Sequence, residues 1–465
     1  MTDPASLPAL GATATADAIA AGKTTAAAVI DAALAHIARD NDRLHAFILV
    51  LADEARAEAA LLDQLQARGH RRGPLHGVPV AVKDIIDVGG QRTRAGSATR
   101  DHLPPASFDA AAVARLRAAG AVVIGKTHTV EYAFGGWGTN VVAGTPVNPH
   151  DIAVPRVPGG SSSGSGVAVG AGMVPLAFGT DTGGSVRLPA AWCGAVGYKT
   201  SFGLVGRSGV VPLALAFDTI GPIARTVRDA AVMGQAMLGS DPADPATAGA
   251  PGLDLVSGLE AGVKGLTIGL VSLDHDMAVD VEVAAAIETA SRALERAGAR
   301  IVRLMLPETL ATYTAACGEL MMVEGYCRHG AFADSDPPAL GAPVAARIRG
   351  GASLSGPALF NGLEQRAERI VAANVALEGI DALILPTTAV PAIPIAEVDE
   401  TAAPGALTRF VNYLEWTAVS VPVARTAGGL PIGLQVVARR FADPLALRIA
   451  RAAELNAGGP LPLPI

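Results

Sequence analysis

Apolar residues recur at three- and four-residue spacing over residues 13 to 68, with Val29, Ile30, Ala33, Leu34 and Ile37 on one stripe. That period predicts helices buried along one face, punctuated at Gly22 and Asn41. Val78-Pro79-Val80-Ala81-Val82 is a short apolar run and predicts a strand with Lys83 at its end. Phe108 to Ala119 predicts a helix leading into the strand Ala121-Val122-Val123-Ile124, the kind of unit that builds a parallel sheet. Thr226 is placed to cap a helix beginning Val227-Arg228-Asp229. Strands are expected at Leu266 to Val271, Ile301 to Leu306, 381 to 387, Val419 to Val423 and Gly433 to Ala438. Helices are expected at Val281 to Ala297, through most of 307 to 380, and at the C-terminal end. The pattern is that of an α/β protein. No Pro/Gly/Ser-rich or highly charged linker divides the 465 residues, so a single domain spanning 1–465 is expected, with no internal repeat.

Residues 159 to 190 break this regularity. Gly159-Gly160-Ser161-Ser162-Ser163-Gly164-Ser165-Gly166 is followed by an apolar, helix-like run and then by Gly179-Thr180-Asp181-Thr182-Gly183-Gly184-Ser185-Val186-Arg187-Leu188-Pro189. Glycine permits unusual dihedrals and close approach of a ligand to the backbone. A serine preceded by glycines can have free N–H groups beside its hydroxyl, an arrangement that stabilises a developing oxyanion. A single Gly/Ser run would read as a flexible loop. Two of them, joined by an apolar segment and closed by Arg-x-Pro, argue for a built site. By itself Lys83 reads as a strand-end lysine with its ammonium in water, since lysine is seldom buried; the two-serine segment reverses that reading.

These residues resemble the amidase signature hydrolases. The family pattern is Gly-Gly-Ser-(Ser/Gly)-(Ser/Gly)-Gly, a small-residue stretch, and Gly-x-Asp-x-Gly-x-Ser-(aliphatic)-Arg-x-Pro, which residues 159 to 190 match throughout. The likeness extends upstream to Gly77-Val78-Pro79-Val80-Ala81-Val82-Lys83-Asp84 and downstream to Pro431-Ile432-Gly433-Leu434-Gln435. It implies a large mixed, twisted β-sheet covered by helices on both faces. N-terminal helices would occupy residues 1–70, the catalytic core about 71–230, and a pocket-shaping region about 307–380.

The resemblance also implies a Ser–Ser–Lys triad. Ser185 corresponds to the nucleophile, Ser161 to a bridging serine that follows a cis peptide bond, and Lys83 to the base. Thr182, Gly183, Gly184 and Ser185 would supply oxyanion-hole N–H groups. Asp181 and Arg187 would fix the loops, and Ser162 is loop structure able to hydrogen-bond within the relay. A serine hydroxyl needs a base to take its proton, and Lys83 serves only when neutral. Its usual value near 10.4 must then fall by about three pH units, on the order of 4 kcal/mol, which burial without a counter-charge can supply.

Substrate contacts are expected from Trp137, Tyr326, Tyr413 and Trp416. Tyr313, Leu320, Met321, Met322, Tyr326 and Phe332 form either an apolar acyl or aryl pocket or the core face of a helix. The expected activity is hydrolysis of a small neutral amide, or a related carbamate or ester, through an acyl-enzyme and without a cofactor. The alternative is the glutaminase subunit of a tRNA-dependent amidotransferase. Two features weigh against that branch. Asn412-Tyr413-Leu414-Glu415-Trp416-Thr417 replaces the usual Asn-x-x-Gly-x-Pro turn, with bulky residues expected to reshape the pocket wall, and no acid stands within Gly405 to Arg409.

Composition excludes other classes. Half of the residues are hydrophobic and 17% are charged, and a net charge of −7 with interspersed signs gives no nucleic-acid footprint. Cys193, Cys317 and Cys327 have neither disulfide-framework nor metal-like spacing. Gly125-Lys126-Thr127 is expected to open a polar loop that resembles a phosphate-binding loop, but the strand Ala-Val-Val-Ile precedes it instead of a glycine-rich cradle. Gly164, Gly166 and Gly170 are one residue too widely spaced for a dinucleotide fingerprint. No convincing Gly-x-Ser-x-Gly elbow and no His-Glu-x-x-His supports a Ser–His–Asp or zinc hydrolase. Neither a secretory signal nor a membrane span is legible, so a cytoplasmic protein without a membrane or nucleic-acid partner is expected; a homodimer stays open.

Overall fold

The structure is a computed structural model that describes residues 10–273 and 277–464. Among the described residues eleven strands form one sheet: β1 (Phe47–Val50), β2 (Pro79–Lys83), β3 (Val122–Thr127), β4 (Leu176–Asp181), β5 (Val196–Lys199), β6 (Thr219–Ala224), β7 (Thr267–Val271), β8 (Arg300–Leu304), β9 (Ala382–Pro386), β10 (Thr417–Arg425) and β11 (Pro431–Ala438). Their spatial order is β1-β3-β2-β4-β6-β5-β10-β11-β9-β7-β8. The sheet is mixed. β2 runs parallel to β3 and β4, and β7 parallel to β8 and β9, while β10 pairs antiparallel with β5 and β11.

Side chains on successive strand residues point to opposite faces, and here each face has its own core. Val80, Val82, Val123, Leu176 and Phe178 belong to one apolar cluster, while Ala81, Val122, Ile124 and Ala177 belong to another. The helices 26–44 and 52–67 cover the second face with Val29, Ile30, Ala33, Leu34, Ile37, Ala59 and Leu62, as their spacing predicts. The helices 111–118, 227–237 and 443–456 cover the first. Burial on both faces explains why β2, β3, β4 and β11 read as apolar runs instead of alternating ones. Thr226 caps its helix by accepting from Asp229 N at 3.1 Å.

The structure corrects the sequence reading in three places. Residues 13 to 68 contain a strand, β1, antiparallel to β3, because a four-residue apolar run between helices carries no period of its own. The apolar run after the serine-rich loop is only half helical: helix Ser163–Gly170 gives way to β4. Gly125-Lys126-Thr127 completes β3 and does not form a loop; the Lys126 ammonium pairs with Asp84 at 2.6 Å. Strands β5 and β6, interrupted by glycine and proline, carry no strand pattern that the sequence alone displays.

Candidate active site

Three chain segments converge where β2 and β4 end. Lys83 is the last residue of β2 and lies on the face shared with Ala81, toward helix Ser163–Gly170. Its Nζ donates to Ser161 Oγ at 2.8 Å and to Thr180 Oγ1 at 2.7 Å. The Gly160–Ser161 peptide bond is cis. Ser162 N donates to Ser185 O at 3.2 Å, which ties the two serine loops together. The Ser162 hydroxyl exchanges 3.3 Å hydrogen bonds with the Thr180 backbone and so secures the loop to β4.

Lys83 and Ser161 are fully buried, whereas Ser185 is 8% exposed and faces a cavity. Burial lowers the Lys83 ammonium to about 7, against a smaller opposing pull from Asp181 and Asp218. Among the described residues no carboxylate forms an ion pair with it. Two other buried lysines show that burial alone does not single out this residue. Lys126 is neutralised by Asp84, and Lys199, also lowered to about 7 by burial, donates to the carbonyls of Thr200 and Trp416. Of these three, and among the described residues, Lys83 is the one whose ammonium contacts two side-chain hydroxyls.

Asp181 and Arg187 hold the second loop. Arg187 Nη2 donates to Asp181 Oδ1 at 2.9 Å and Nε to Oδ2 at 3.0 Å. Burial raises the Asp181 carboxyl, but Arg187, with Lys199 and Asn412, outweighs it and holds the group far below the usual range. Arg187 also donates to Gln435 Oε1 at 2.6 Å and to Asn412 Oδ1 at 2.7 Å, so the downstream motif meets the signature here. Gly184 N donates to Asp181 Oδ1 at 2.7 Å, which commits one of the four expected oxyanion donors. Among the described residues the N–H groups of Thr182, Gly183 and Ser185 have no acceptor.

The cavity beside Ser185 measures about 220 Å³. Thr182, Gly183, Leu188, Leu213, Met321, Met322, Arg347 and Arg409 are among its lining residues. Of the aromatic-rich 313–332 stretch, Met321 and Met322 reach the cavity, whereas Tyr313 and Leu320 pack in the core. The four expected substrate contacts lie elsewhere. Tyr413 and Trp416 are core residues; Tyr413 packs 5.8 Å from Tyr313, and the Trp416 carbonyl accepts from Lys199. The Tyr326 hydroxyl donates to Asp334 Oδ2 at 2.7 Å, away from the cavity wall. Trp137 stacks on Trp192 at 5.6 Å, and its Nε1 donates to Asp399 O and Ala402 O, supporting a segment that lines the cavity.

Three residues that sequence reasoning passed over also shape the site. Asp218 Oδ1 accepts from Thr182 Oγ1 at 2.6 Å while its Oδ2 accepts from Leu213 N and Ala214 N. Thr408 Oγ1 donates to Gly183 O at 2.6 Å. Thr180 lies within the signature segment and so had a signal; Asp218 and Thr408 are single polar residues with none.

The Amidase family model matches residues 28–447. The chain belongs to the amidase signature family. It is 37% identical to the A-type component of the glutamyl-tRNA(Gln) amidotransferase from Anaeromyxobacter dehalogenans (strain 2CP-C), with 96% of each chain covered. Among solved structures, a chain of the vestigial protein complex that reveals the origins of an s-triazine catabolic enzyme superposes with a TM-score of 0.91 at 33% identity, covering 97% of this chain and 99% of the other. The native peptide amidase from Stenotrophomonas maltophilia gives 0.85 at 33% identity, covering 97% and 98%. The fold is therefore the amidase-signature fold, and its enzymes are hydrolases of amides. Among the described residues no group of acids, histidines and cysteines is arranged to hold a metal ion, and no helix is long and apolar enough to cross a membrane.

Proposed function

We propose that the chain hydrolyses an amide through an acyl-enzyme on Ser185. The observation that carries this reading is the buried Lys83 ammonium, lowered to about 7 and 2.8 Å from Ser161 Oγ. A lysine with that value is about half neutral at pH 7. Neutral Lys83 takes the Ser161 proton as Ser161 takes that of Ser185, and the Ser185 Oγ forms its bond to the amide carbon. The three uncommitted N–H groups of Thr182, Gly183 and Ser185 then face the carbonyl oxygen as it gains charge. Collapse of the tetrahedral species breaks the C–N bond, and the proton held by Lys83 returns through Ser161 to the leaving amine. Water repeats the sequence to release the acid. Carbamates and esters fit the same steps.

A second reading has the weight of the curated relatives. The A-type components of glutamyl-tRNA(Gln) amidotransferases are 34–37% identical to this chain over more than nine-tenths of its length. One of the two sequence arguments against that reading weakens, because Tyr413 and Trp416, in the replaced turn, sit in the core and do not line the cavity. In that case the chain works within an assembly, and the expectation of no nucleic-acid partner does not carry over to it.

A fluorophosphonate adduct mapped to Ser185, and lost in Lys83→Ala, is the expected result for both readings. Ammonia release from simple amides by the isolated chain supports the stand-alone hydrolase. Turnover of glutamine only in the presence of partner proteins supports the amidotransferase component. An unlabelled Ser185 would overturn the shared chemistry.

A further inference from the structure

The cavity holds two arginines in different electrostatic surroundings. Arg347 is matched: Nη2 donates to Glu400 Oε2 at 2.6 Å and Nη1 to Phe134 O at 2.8 Å. Arg409 is not. Among the described residues its guanidinium has no ion pair and no hydrogen bond. Burial works most against its ionised form, and Arg347 on the same cavity adds like charge, against an opposing pull from Cys317. Glu319 borders the adjoining groove, yet it makes no ion pair with Arg409.

The path of the side chain shows where this charge is delivered. A Cβ added at Gly183 would lie 3.2 Å from Arg409 Cγ, and one added at Gly318 would lie 3.4 Å from Nη1. The stem therefore crosses the loop that presents the oxyanion donors. The guanidinium ends over a glycine inside helix Leu310–Ala333, where even a methyl group would be in van der Waals contact with it. Arg409, Gly318 and Met322 also border a second groove of about 530 Å³, so the guanidinium stands where two spaces meet.

We propose that Arg409 is a specificity-determining residue that binds a carboxylate on the acyl part of the amide substrate. The inference rests on the acyl-transfer reading of Ser185. A guanidinium presents paired N–H donors that match a carboxylate in two parallel bonds. A half-buried cation without a counter-charge is costly to hold, and a substrate carboxylate removes that cost, whereas the expected neutral amide leaves it in place. Leu213 and Met321 offer apolar wall for the short chain between carboxylate and amide. Arg347 does not compete for the role, because Glu400 already neutralises it.

The test follows fluorophosphonate labelling of Ser185 in the presence of succinamate or of butyramide, its uncharged counterpart. Succinamate is expected to protect Ser185 at concentrations about 10- to 100-fold below those of butyramide, the range for a hydrogen bond to a charged group. Arg409→Gln should abolish the preference, and Arg409→Lys should keep only part of it because lysine lacks the planar fork. Equal protection by the two amides, protection by neither, or a preference that survives Arg409→Gln overturns the proposal. Should Arg409→Gln fail to label, Arg409→Lys decides, and an undiminished preference there overturns it. If the wild-type chain is not labelled at Ser185, the acyl-transfer reading falls and takes this proposal with it.

Discussion

Arg187 grips Asp181 through two nitrogens, Nη2 to Oδ1 at 2.9 Å and Nε to Oδ2 at 3.0 Å, with both side chains fully buried. Asp181 in turn accepts from Gly184 N and Val186 N on either side of Ser185. Removing one partner of such a pair leaves an uncompensated buried charge, at about 3–5 kcal/mol. Arg187→Met is therefore expected to lower stability by that amount in denaturant titration. It should also abolish Ser185 labelling in whatever fraction remains folded.

The Lys83 ammonium sits at about 7 because burial disfavours its charge. In the proposed mechanism activity requires the neutral form, so kcat/KM should rise as pH passes upward through about 7 and level off above it. The same displacement has a stability consequence. Between about 7 and the unfolded value near 10.4, the unfolded chain binds more protons than the native one, so this group's contribution to stability increases with pH across that window. Lys83→Met should flatten that dependence in pH-dependent unfolding, and Lys83→Ala should remove nearly all turnover. Normal turnover in Lys83→Ala would exclude it as the base.

Asp218 is raised to about 6 by burial, and it contributes to holding the Lys83 proton. Asp218→Asn removes that negative charge, so the ammonium should lose its proton more readily. The acid limb of kcat/KM is expected to move to lower pH. Because Asp218 also joins Thr182 to the backbone at Leu213 and Ala214, Asp218→Ala should reduce kcat/KM by about tenfold or more, consistent with lost hydrogen bonds to a charged group. A limb that stays in place in Asp218→Asn would remove Asp218 from the electrostatics of the base.

Gly184 has φ +132, and a Cβ there would lie 2.3 Å from Thr408 Oγ1. Gly184→Ala combines an unfavourable backbone region with a clash against the hydroxyl that holds Gly183 O. It is expected to destabilise the fold by about 1–3 kcal/mol and to lower the rate of Ser185 labelling. Thermal unfolding and labelling kinetics on one sample would separate the two effects.

How much of this was legible depends on how local the signal is. The helices at 26–44 and 281–296 and the strand ending at Lys83 follow from periodicity and short apolar runs, because their burial is set by neighbours in sequence. β1, β5 and β6 were not legible: β1 is a four-residue run between helices with no period of its own, and glycine and proline interrupt the apolar pattern of β5 and β6. Tyr413 and Trp416 misled because bulk near a motif says nothing about which way a side chain faces. Packing turned both into the core.

By itself the sequence determined the family and displayed the candidate residues for its chemistry, since the signature is a contiguous string whose glycines, serines and Arg-x-Pro serve one loop pair. Only the tertiary structure decided that Lys83, distant in sequence, meets Ser161 at 2.8 Å in a site dry enough to bring it to about 7. It also decided that Gly184 N is committed to Asp181 while, among the described residues, its neighbours stay free and Arg409 reaches the cavity without a counter-charge. The physical reason is common to all three. Burial and charge compensation are properties of what surrounds a group in space, and that surrounding is assembled from segments far apart in the chain.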